Sequence, residues 1–247
     1  MACGERAGAP APCSNGLVRP SWWHDEERGE PDTRVDRANA ASLVRAALGQ
    51  GVADPRVLEA IRTTRRASFV PPELRREVGS DYAIPIGMAQ TTSQPSLIAM
   101  MIEALELRPE ETVLEIGTGY GYEAALLSKL AGRVFSVERI PELAEVARHN
   151  LESEGVMNVT VVTGDGTLGL PEAAPFDGIV VAAAFVRVPA PLADQLAPEG
   201  KLVMPVGSGG GDLVKVFQRQ DGDLVEKRVL CGARFVPLLG ANGFEAP

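Results

Sequence analysis

The chain has 247 residues, 45% of them hydrophobic, and a formal net charge of −9. This length and composition suit one large globular domain with a sizeable core, and the acidic balance argues against an electrostatic grip on nucleic acid. No apolar run approaches the roughly 18 residues of a membrane span, and the N-terminus lacks a signal-peptide layout. Cys3, Cys13 and Cys231 form no C-x-x-C pair and predict no zinc site. We expect a cytoplasmic, monomeric protein with no metal and with no nucleic-acid or membrane partner.

The first 36 residues are rich in Gly, Pro, Ala and charge and show no helical or strand period. We predict that residues 1–36 form a flexible extension and that residues 37–247 form one domain. Within the extension, the adjacent indoles of Trp22 and Trp23 could anchor the tail to the domain or dock on a partner.

Residues 37–80 have the pattern of a small helical subdomain. An apolar stripe from Val35 stops at Gly49, and a second helix follows with Asp54 as its N-cap and Pro55 at its first position. A short third helix is predicted over 73–78. Five arginines are concentrated here and indicate either a solvated helix face or a basic binding patch: Arg62, Arg65, Arg66, Arg75 and Arg76.

Residues 81–110 form a loop followed by a helix. Pro85 and Gly87 predict an extended loop over 81–95, and its many uncharged hydrogen-bonding side chains indicate contact with a substrate. A helix is predicted from Pro95 to Leu105. Ser93 fits two roles equally well, since it could contact substrate or cap that helix.

The central motif is an apolar strand from Val113 that runs into Gly117, Gly119 and Gly121 and then into a helical pattern over 123–130. Alternate glycines let the backbone approach a ligand, and the helix N-terminus presents free N–H groups. The G-x-G-x-G spacing, with acidic Glu115 two residues ahead, favours S-adenosylmethionine over a dinucleotide. A turn that merely closes a βα loop remains an alternative.

Beyond this motif, strand and helix patterns alternate. Strands are predicted over 133–137, 159–162, 176–183 and 201–206, helices over 141–154 and 191–196, and a hairpin over 213–219 and 224–230. Residues 111–247 therefore predict an α/β fold with a doubly wound, mostly parallel, Rossmann-like sheet and a C-terminal antiparallel hairpin.

Acidic residues fall at the strand ends where such sheets bind ligands. Glu138 is placed for the ribose hydroxyls and Asp165 for an exocyclic amine of adenine, whereas Asp177 fits a turn residue. The histidines, His24 and His149, lie away from the glycine turn. Without a histidine base, an acceptor that is already an anion, such as a carboxylate, is favoured for methyl transfer.

Several stretches together resemble the protein-L-isoaspartate O-methyltransferase family. They are Arg56–Ile61, Phe69–Pro71, Ile84–Pro95, Val113–Tyr122, Val137–Glu138, Gly164–Gly166, Ala174–Asp177 and Arg234–Leu238. The resemblance implies a class I methyltransferase fold with S-adenosylmethionine as methyl donor. It also implies the α-carboxylate of an L-isoaspartyl residue as acceptor, whose methyl ester closes to a succinimide and allows repair.

The resemblance also implies roles for residues. The catalytic set is Ser93, Thr92 and Gln90. The cofactor set is Glu115, Gly117, Thr118, Gly119, Gly121, Glu138, Arg139, Asp165 and Gly166. The substrate set is Ile86, Thr91, Ala182, Arg234 and Val236.

Four positions depart from the usual pattern of that family: Ala89, Thr92, Tyr120 and Ala182. A methyl group at Ala89 disfavours positive φ, so we expect a differently shaped loop. Two alternatives to general repair therefore stay open. One is methylation of a particular aspartate in a dedicated peptide, docked by the N-terminal extension, and the other is a protein that binds S-adenosylmethionine without catalysis.

Overall fold

The computed structural model describes residues 33–208 and 211–245. The first helix, α1, spans Thr33–Gly49, so the predicted boundary at residue 36 lies inside a helix. The rest of the predicted extension, with Trp22 and Trp23, lies outside the described residues.

Two further helices complete the N-terminal part, α2 over Pro55–Thr63 and α3 over Pro95–Leu105. The Asp54 carboxylate accepts a hydrogen bond from the Arg56 amide at 2.8 Å, which confirms the predicted N-cap. The short third helix is a 3₁₀ turn over Pro72–Glu77, and another covers Arg66–Phe69. Helix α1 packs against both α2 and α3.

Arg66 is a correction to the predicted solvated arginine face. Its side chain is only 4% exposed, and its guanidinium donates to the carbonyls of Val78, Ser80 and Tyr82 at 3.2, 2.7 and 3.0 Å. Arg65, in contrast, pairs with Asp36 near the surface. Arg66 therefore holds the chain that leads into the predicted substrate loop.

That loop is extended along two short strands, and it folds back on itself as a β-hairpin that the sequence did not predict. Strand β1, Ile84–Gly87, pairs antiparallel with β2, Gln90–Thr92. The turn residues Met88 and Ala89 have φ of 50° and 55°, so the expectation that Ala89 would avoid positive φ is wrong. A two-residue turn with positive φ at both positions matches the twist of the paired strands, and this pairing outweighs the local strain.

The remaining elements alternate as predicted. They are β3 (Thr112–Ile116), α4 (Tyr122–Leu127), β4 (Arg133–Glu138), α5 (Pro141–Ser153), β5 (Val159–Thr163), β6 (Phe176–Val181), α6 (Ala190–Asp194), β7 (Leu196–Val206), β8 (Asp212–Gln220) and β9 (Asp223–Ala233).

The seven-stranded sheet has the order β5-β4-β3-β6-β7-β8-β9. The first five strands in this order are mutually parallel, β8 pairs antiparallel with β7, and β9 pairs antiparallel with β8. The predicted doubly wound sheet with a C-terminal hairpin is thus confirmed. The strand order reverses between β3 and β6, whose side chains Leu114 and Ile179 are fully buried, so a ligand crevice is expected at their carboxyl ends.

Some boundaries differ from the prediction. Strand β7 begins at Leu196, five residues earlier than expected, since it pairs there with Phe176 on β6. Asp177 lies inside β6 rather than in a turn, and its carboxylate accepts from the Thr112 amide at 2.9 Å. Among the described residues, no helix combines the length and apolar character needed to cross a membrane.

Candidate active site

A cavity of about 640 Å³ opens at the carboxyl ends of β3 and β6, within the size range of small-molecule sites. The β1–β2 hairpin forms one wall and the glycine turn after β3 another, and the end of β4, the loop after β6 and residues near the C-terminus supply the rest. The cavity therefore lies where the strand order places a ligand.

The glycine turn forms part of the cavity wall through Gly117 and Gly119, which have φ of 97° and 54°. A Cβ on Gly119 would lie 3.1 Å from Ile86 Cδ1, and one on Gly117 would lie 3.4 Å from Ala182 Cβ. Gly121 does not line the cavity, and a Cβ there would lie 3.3 Å from Leu151 Cγ on α5. The first two glycines thus keep the cavity open, and the third allows close packing of α5.

Glu138 lies at the cavity, as predicted, and is 6% exposed. Its Oε2 accepts from the Gly119 amide and its Oε1 from the Ile140 amide, both at 2.9 Å. Burial raises the pKa of Glu138, and these amides, together with that of Arg139, lower it in part. Arg139 also lines the cavity.

Asp165 is turned away from the cavity and toward the C-terminal segment. Its Oδ2 accepts from the Ala241 amide at 2.7 Å and its Oδ1 from the Thr167 amide at 2.9 Å. Burial raises the pKa of Asp165, but the hydrogen bonds from Ala241 and Thr167 outweigh it and hold the pKa below its usual value. Gly166 lines the cavity and Asp165 does not.

Two other predicted site residues also lie outside the lining. Glu115 is fully buried beneath the glycine turn, where its Oε2 accepts from the Ser136 hydroxyl. That hydroxyl also bonds the Thr118 hydroxyl, which places Thr118 at the cavity wall. Arg234 is exposed and does not line the cavity.

The hairpin supplies the remaining predicted residues. Ile86, Gln90, Thr91, Thr92 and Ser93 all line the cavity. The structure also distinguishes the two roles considered for Ser93.

Helix α3 has Gln94 at its N-cap position, without a side-chain cap. The Asp81 carboxylate instead accepts from the Ser96 amide at 2.9 Å. Asp81 therefore satisfies this helix end, and Ser93 contributes to the cavity wall.

The opposite wall contains Ala182 and Val236, as predicted. A backbone hydrogen bond joins the two segments of this wall: the Ala184 amide in the loop after β6 donates to the Val236 carbonyl in the C-terminal segment at 2.8 Å. The prediction missed several lining residues: Tyr120, Tyr122, Glu123, Leu238 and Phe244. Glu123 had a readable signal, an acidic side chain in the first turn after the glycines. Phe244 had none, because a tertiary stack on Phe185 positions it.

The cavity suits a nucleoside-containing cofactor. Two glycines keep side chains off one wall, and a buried carboxylate, Glu138, stands at the end of the neighbouring strand. Within 33–208 and 211–245, no three His, Cys, Asp or Glu side chains are grouped to hold a metal ion. The polar hairpin faces the same space, so a cofactor and an acceptor can meet there.

This sheet order, with a glycine turn and an acidic strand end at its switch point, defines a class I methyltransferase. The chain belongs to the protein-L-isoaspartate(D-aspartate) O-methyltransferase family, whose model matches residues 38–243.

Relatives in that family align over most of their length. The chain is 52% identical over 197 residues to protein-L-isoaspartate O-methyltransferase 2 of Marinobacter nauticus, covering 79% of this chain and 90% of that protein. It is 48% identical over 206 residues to protein-L-isoaspartate O-methyltransferase 1 of Anaeromyxobacter sp., covering 83% and 97%.

Solved structures agree with the fold. A protein-L-isoaspartate O-methyltransferase superposes with a TM-score of 0.73 at 30% identity, over 82% of this chain and 66% of that one. A Plasmodium falciparum protein described as a protein-L-isoaspartate O-methyltransferase, solved in complex with S-adenosyl-L-homocysteine, superposes with a TM-score of 0.67 at 20% identity, over 83% and 98%.

Proposed function

We propose that this protein transfers a methyl group from S-adenosylmethionine to the α-carboxylate of L-isoaspartyl residues in damaged proteins and peptides. The observation that carries the proposal is one cavity lined on one side by the glycine turn of this family and on the other by the polar hairpin Gln90–Ser93. S-Adenosylmethionine supplies an electrophilic methyl group from its sulfonium.

On the cofactor side, we assign the ribose hydroxyls to Glu138. Its two oxygens are fixed by the Gly119 and Ile140 amides, so the carboxylate is already oriented before ligand binds. Gly117 and Gly119 let the backbone approach the cofactor, and Thr118, Arg139 and Gly166 complete this side. Asp165 is assigned an indirect role, since it anchors the C-terminal segment through Ala241.

On the acceptor side, we assign the isoaspartyl group to the hairpin. Ser93 adds a hydroxyl to the cavity wall, the Thr92 hydroxyl donates to the Ser93 carbonyl at 3.4 Å, and the Gln90 amide donates to the Met88 carbonyl at 3.2 Å. None of these side chains carries a charge that would compete with the acceptor carboxylate. Ile86, Thr91, Ala182 and Val236 shape the space around them. In the proposed reaction the role of these groups is to hold the acceptor in line with the methyl group.

The acceptor needs no base, because a carboxylate is already ionised near neutral pH. His149, the histidine within the described ranges, does not line the cavity. In the methyl ester, methoxide can leave from the carbonyl carbon, whereas a carboxylate offers no such leaving group. The adjacent backbone nitrogen therefore attacks that carbon, loses its proton and closes a succinimide, and methoxide leaves as methanol. Hydrolysis of that ring regenerates some normal aspartate, which is the repair outcome.

The direct test is release of S-adenosylhomocysteine with a short L-isoaspartyl peptide, compared with the same sequence containing normal aspartate. Turnover on the isoaspartyl peptide alone is the expected result. Turnover only on the aspartyl peptide, or silence on both with the cofactor still bound, would contradict general repair. The result would then favour one of the two alternatives, methylation of an aspartate in a dedicated peptide or binding of S-adenosylmethionine without catalysis.

A further inference from the structure

Two carboxyl groups lie side by side beneath the glycine turn. Glu115 on β3 is fully buried and Glu123 in the first turn of α4 is 6% exposed. Oε1 of each is buried without a hydrogen-bond partner among the described residues. An ionised carboxylate buried without donors is costly, so Glu123 either keeps a proton or takes a donor from a ligand.

The charges around the pair do not supply that donor. Burial raises the pKa of Glu123 to about 8. Burial raises the pKa of Glu115 well above its usual value, and the nearby carboxyls of Glu123 and Glu138 raise it further, against the lowering effect of the Ser136 hydroxyl. With its pKa raised to about 8, Glu123 keeps a proton at neutral pH while the cavity is empty.

The other ionisable groups on this side are neutral or engaged elsewhere. Burial raises the pKa of Tyr122, next to Glu123 on α4, to about 12, so it stays neutral. The Arg66 guanidinium lies over the Tyr122 ring at 5.8 Å and is committed to backbone carbonyls. Arg139 lies beside Glu138, whose pKa it lowers. Glu123 therefore lines the cavity with an oxygen, Oε1, to which no basic side chain of the described residues is hydrogen-bonded.

Once Glu123 is ionised, its unpartnered oxygen needs a donor from outside the protein, and a cation with N–H groups in the cavity supplies one. A metal ion is a poor fit, since no three ligating side chains are grouped in the described part of the chain. The α-ammonium of a methionine-derived cofactor has three N–H donors on a compact positive charge and suits a buried carboxyl oxygen of a residue that lines the cavity. The sulfonium has no N–H and cannot satisfy that oxygen.

We propose that Glu123 is a cofactor-binding residue of this protein, which accepts a hydrogen bond from the α-ammonium group of S-adenosylmethionine in the cavity. This inference rests on the proposed function for the identity of the cofactor. Glu123 loses its proton to solvent when the ammonium arrives, because the new positive charge stabilises the carboxylate. Cofactor binding near pH 7 therefore releases a proton.

The test is titration calorimetry of the full chain with S-adenosylhomocysteine and with 5′-methylthioadenosine, which lacks the amino-acid portion. Repeating each titration in buffers of different ionisation enthalpy gives the protons released. We expect release with S-adenosylhomocysteine and none with 5′-methylthioadenosine. Equal proton release with the two ligands would overturn the inference without requiring any variant.

Glu123→Gln keeps the shape and removes the charge. We expect this variant to bind S-adenosylhomocysteine about tenfold or more weakly than wild type and to release no proton on binding. Its affinity for 5′-methylthioadenosine should equal that of wild type, which would show that the cavity is intact. Glu142→Gln, at an exposed position in the first turn of α5, is the matched control and should change neither.

The outcomes separate this inference from the proposed function. An unchanged affinity of Glu123→Gln for S-adenosylhomocysteine would overturn the role of Glu123 alone. If Glu123→Gln lost affinity for S-adenosylmethionine but not for S-adenosylhomocysteine, Glu123 would act on the sulfonium, and its proposed contact with the α-ammonium would be overturned as well. Failure of the wild-type protein to bind either nucleoside would overturn the proposed function and this inference together.

Discussion

The backbone amide of Gly119 donates to Glu138 Oε2 at 2.9 Å, which ties the turn after β3 to the end of β4. The same carboxylate accepts from the Ile140 amide through its other oxygen. One side chain thus fixes the backbone on two sides of the cavity, at the point where the sheet reverses its strand order. The glycine turn and the acidic strand end therefore act as one unit in positioning a ligand.

Glu138→Gln should weaken cofactor binding. The side-chain amide keeps one acceptor but presents an NH₂ to the second backbone amide, so one of the Gly119 and Ile140 contacts is lost. We expect roughly a tenfold or greater loss of S-adenosylhomocysteine affinity by titration calorimetry. Glu152→Gln, exposed on α5, serves as the control. If both variants bound like wild type, the ribose would have to be placed elsewhere.

Ser93→Ala should separate turnover from cofactor binding. Asp81 satisfies the α3 terminus, so removal of the Ser93 hydroxyl leaves the helix end intact. We expect methyl transfer to an isoaspartyl peptide to fall roughly tenfold or more, with little change in S-adenosylhomocysteine affinity. Ser153→Ala, exposed at the end of α5, should have wild-type turnover. Full activity of Ser93→Ala would remove this hydroxyl from the proposed acceptor site.

Ala89→Gly should stabilise the protein. Ala89 occupies a hairpin turn at φ 55°, where an L side chain is strained and glycine is not. Allowing for the greater freedom of glycine in the unfolded chain, we expect the free energy of unfolding to rise by about 0.5–1 kcal/mol in urea denaturation. Ala83→Gly, outside the turn and without positive φ, should be neutral or destabilising. A lower stability for Ala89→Gly than for Ala83→Gly would count against the turn geometry.

The fold was readable from the sequence because each local pattern agreed with the global arrangement. Apolar strands such as Val113–Ile116 are buried on both faces of a parallel sheet, and caps such as Asp54 mark helix starts. The hairpin was missed because its turn is Met88–Ala89, without the glycine or asparagine that such turns usually contain.

The site was readable only where its residues are close in sequence to a motif. Ser93 and Gly119 line the cavity and belong to two motifs recognisable in the sequence, the polar stretch before α3 and the glycine turn after β3. Asp165 did not follow the motif, because its carboxylate bonds the Ala241 amide, 76 residues along the chain. Likewise, Phe244 reaches the cavity through a stack on Phe185 that no local pattern encodes. Long-range main-chain donors and aromatic contacts are what the sequence alone does not show.

Arg66→Met should destabilise the protein strongly. Without the guanidinium, the buried carbonyl of Val78 and the partly buried carbonyls of Ser80 and Tyr82 lose a donor. We expect a loss of about 3 kcal/mol or more in the free energy of unfolding, measured in urea. The neighbouring Arg65→Met removes a partly exposed pair with Asp36 and should cost no more than about 1 kcal/mol. Equal effects for the two arginines would show that the carbonyl contacts contribute little.

Glu123→Gln should also change how stability depends on pH. Burial raises the pKa of Glu123 in the folded protein to about 8, above its ordinary 4.5. The folded state therefore keeps a proton that the unfolded state loses, so this stability is full below about pH 4.5 and is lost as pH rises toward 8. We expect the wild-type free energy of unfolding to fall by an extra few kcal/mol over this window. Glu123→Gln should lack that extra fall in urea titrations at pH 5, 6, 7 and 8, whereas Glu142→Gln should follow the wild-type curve. Parallel curves for wild type and Glu123→Gln would mean that Glu123 is ionised in the folded protein throughout.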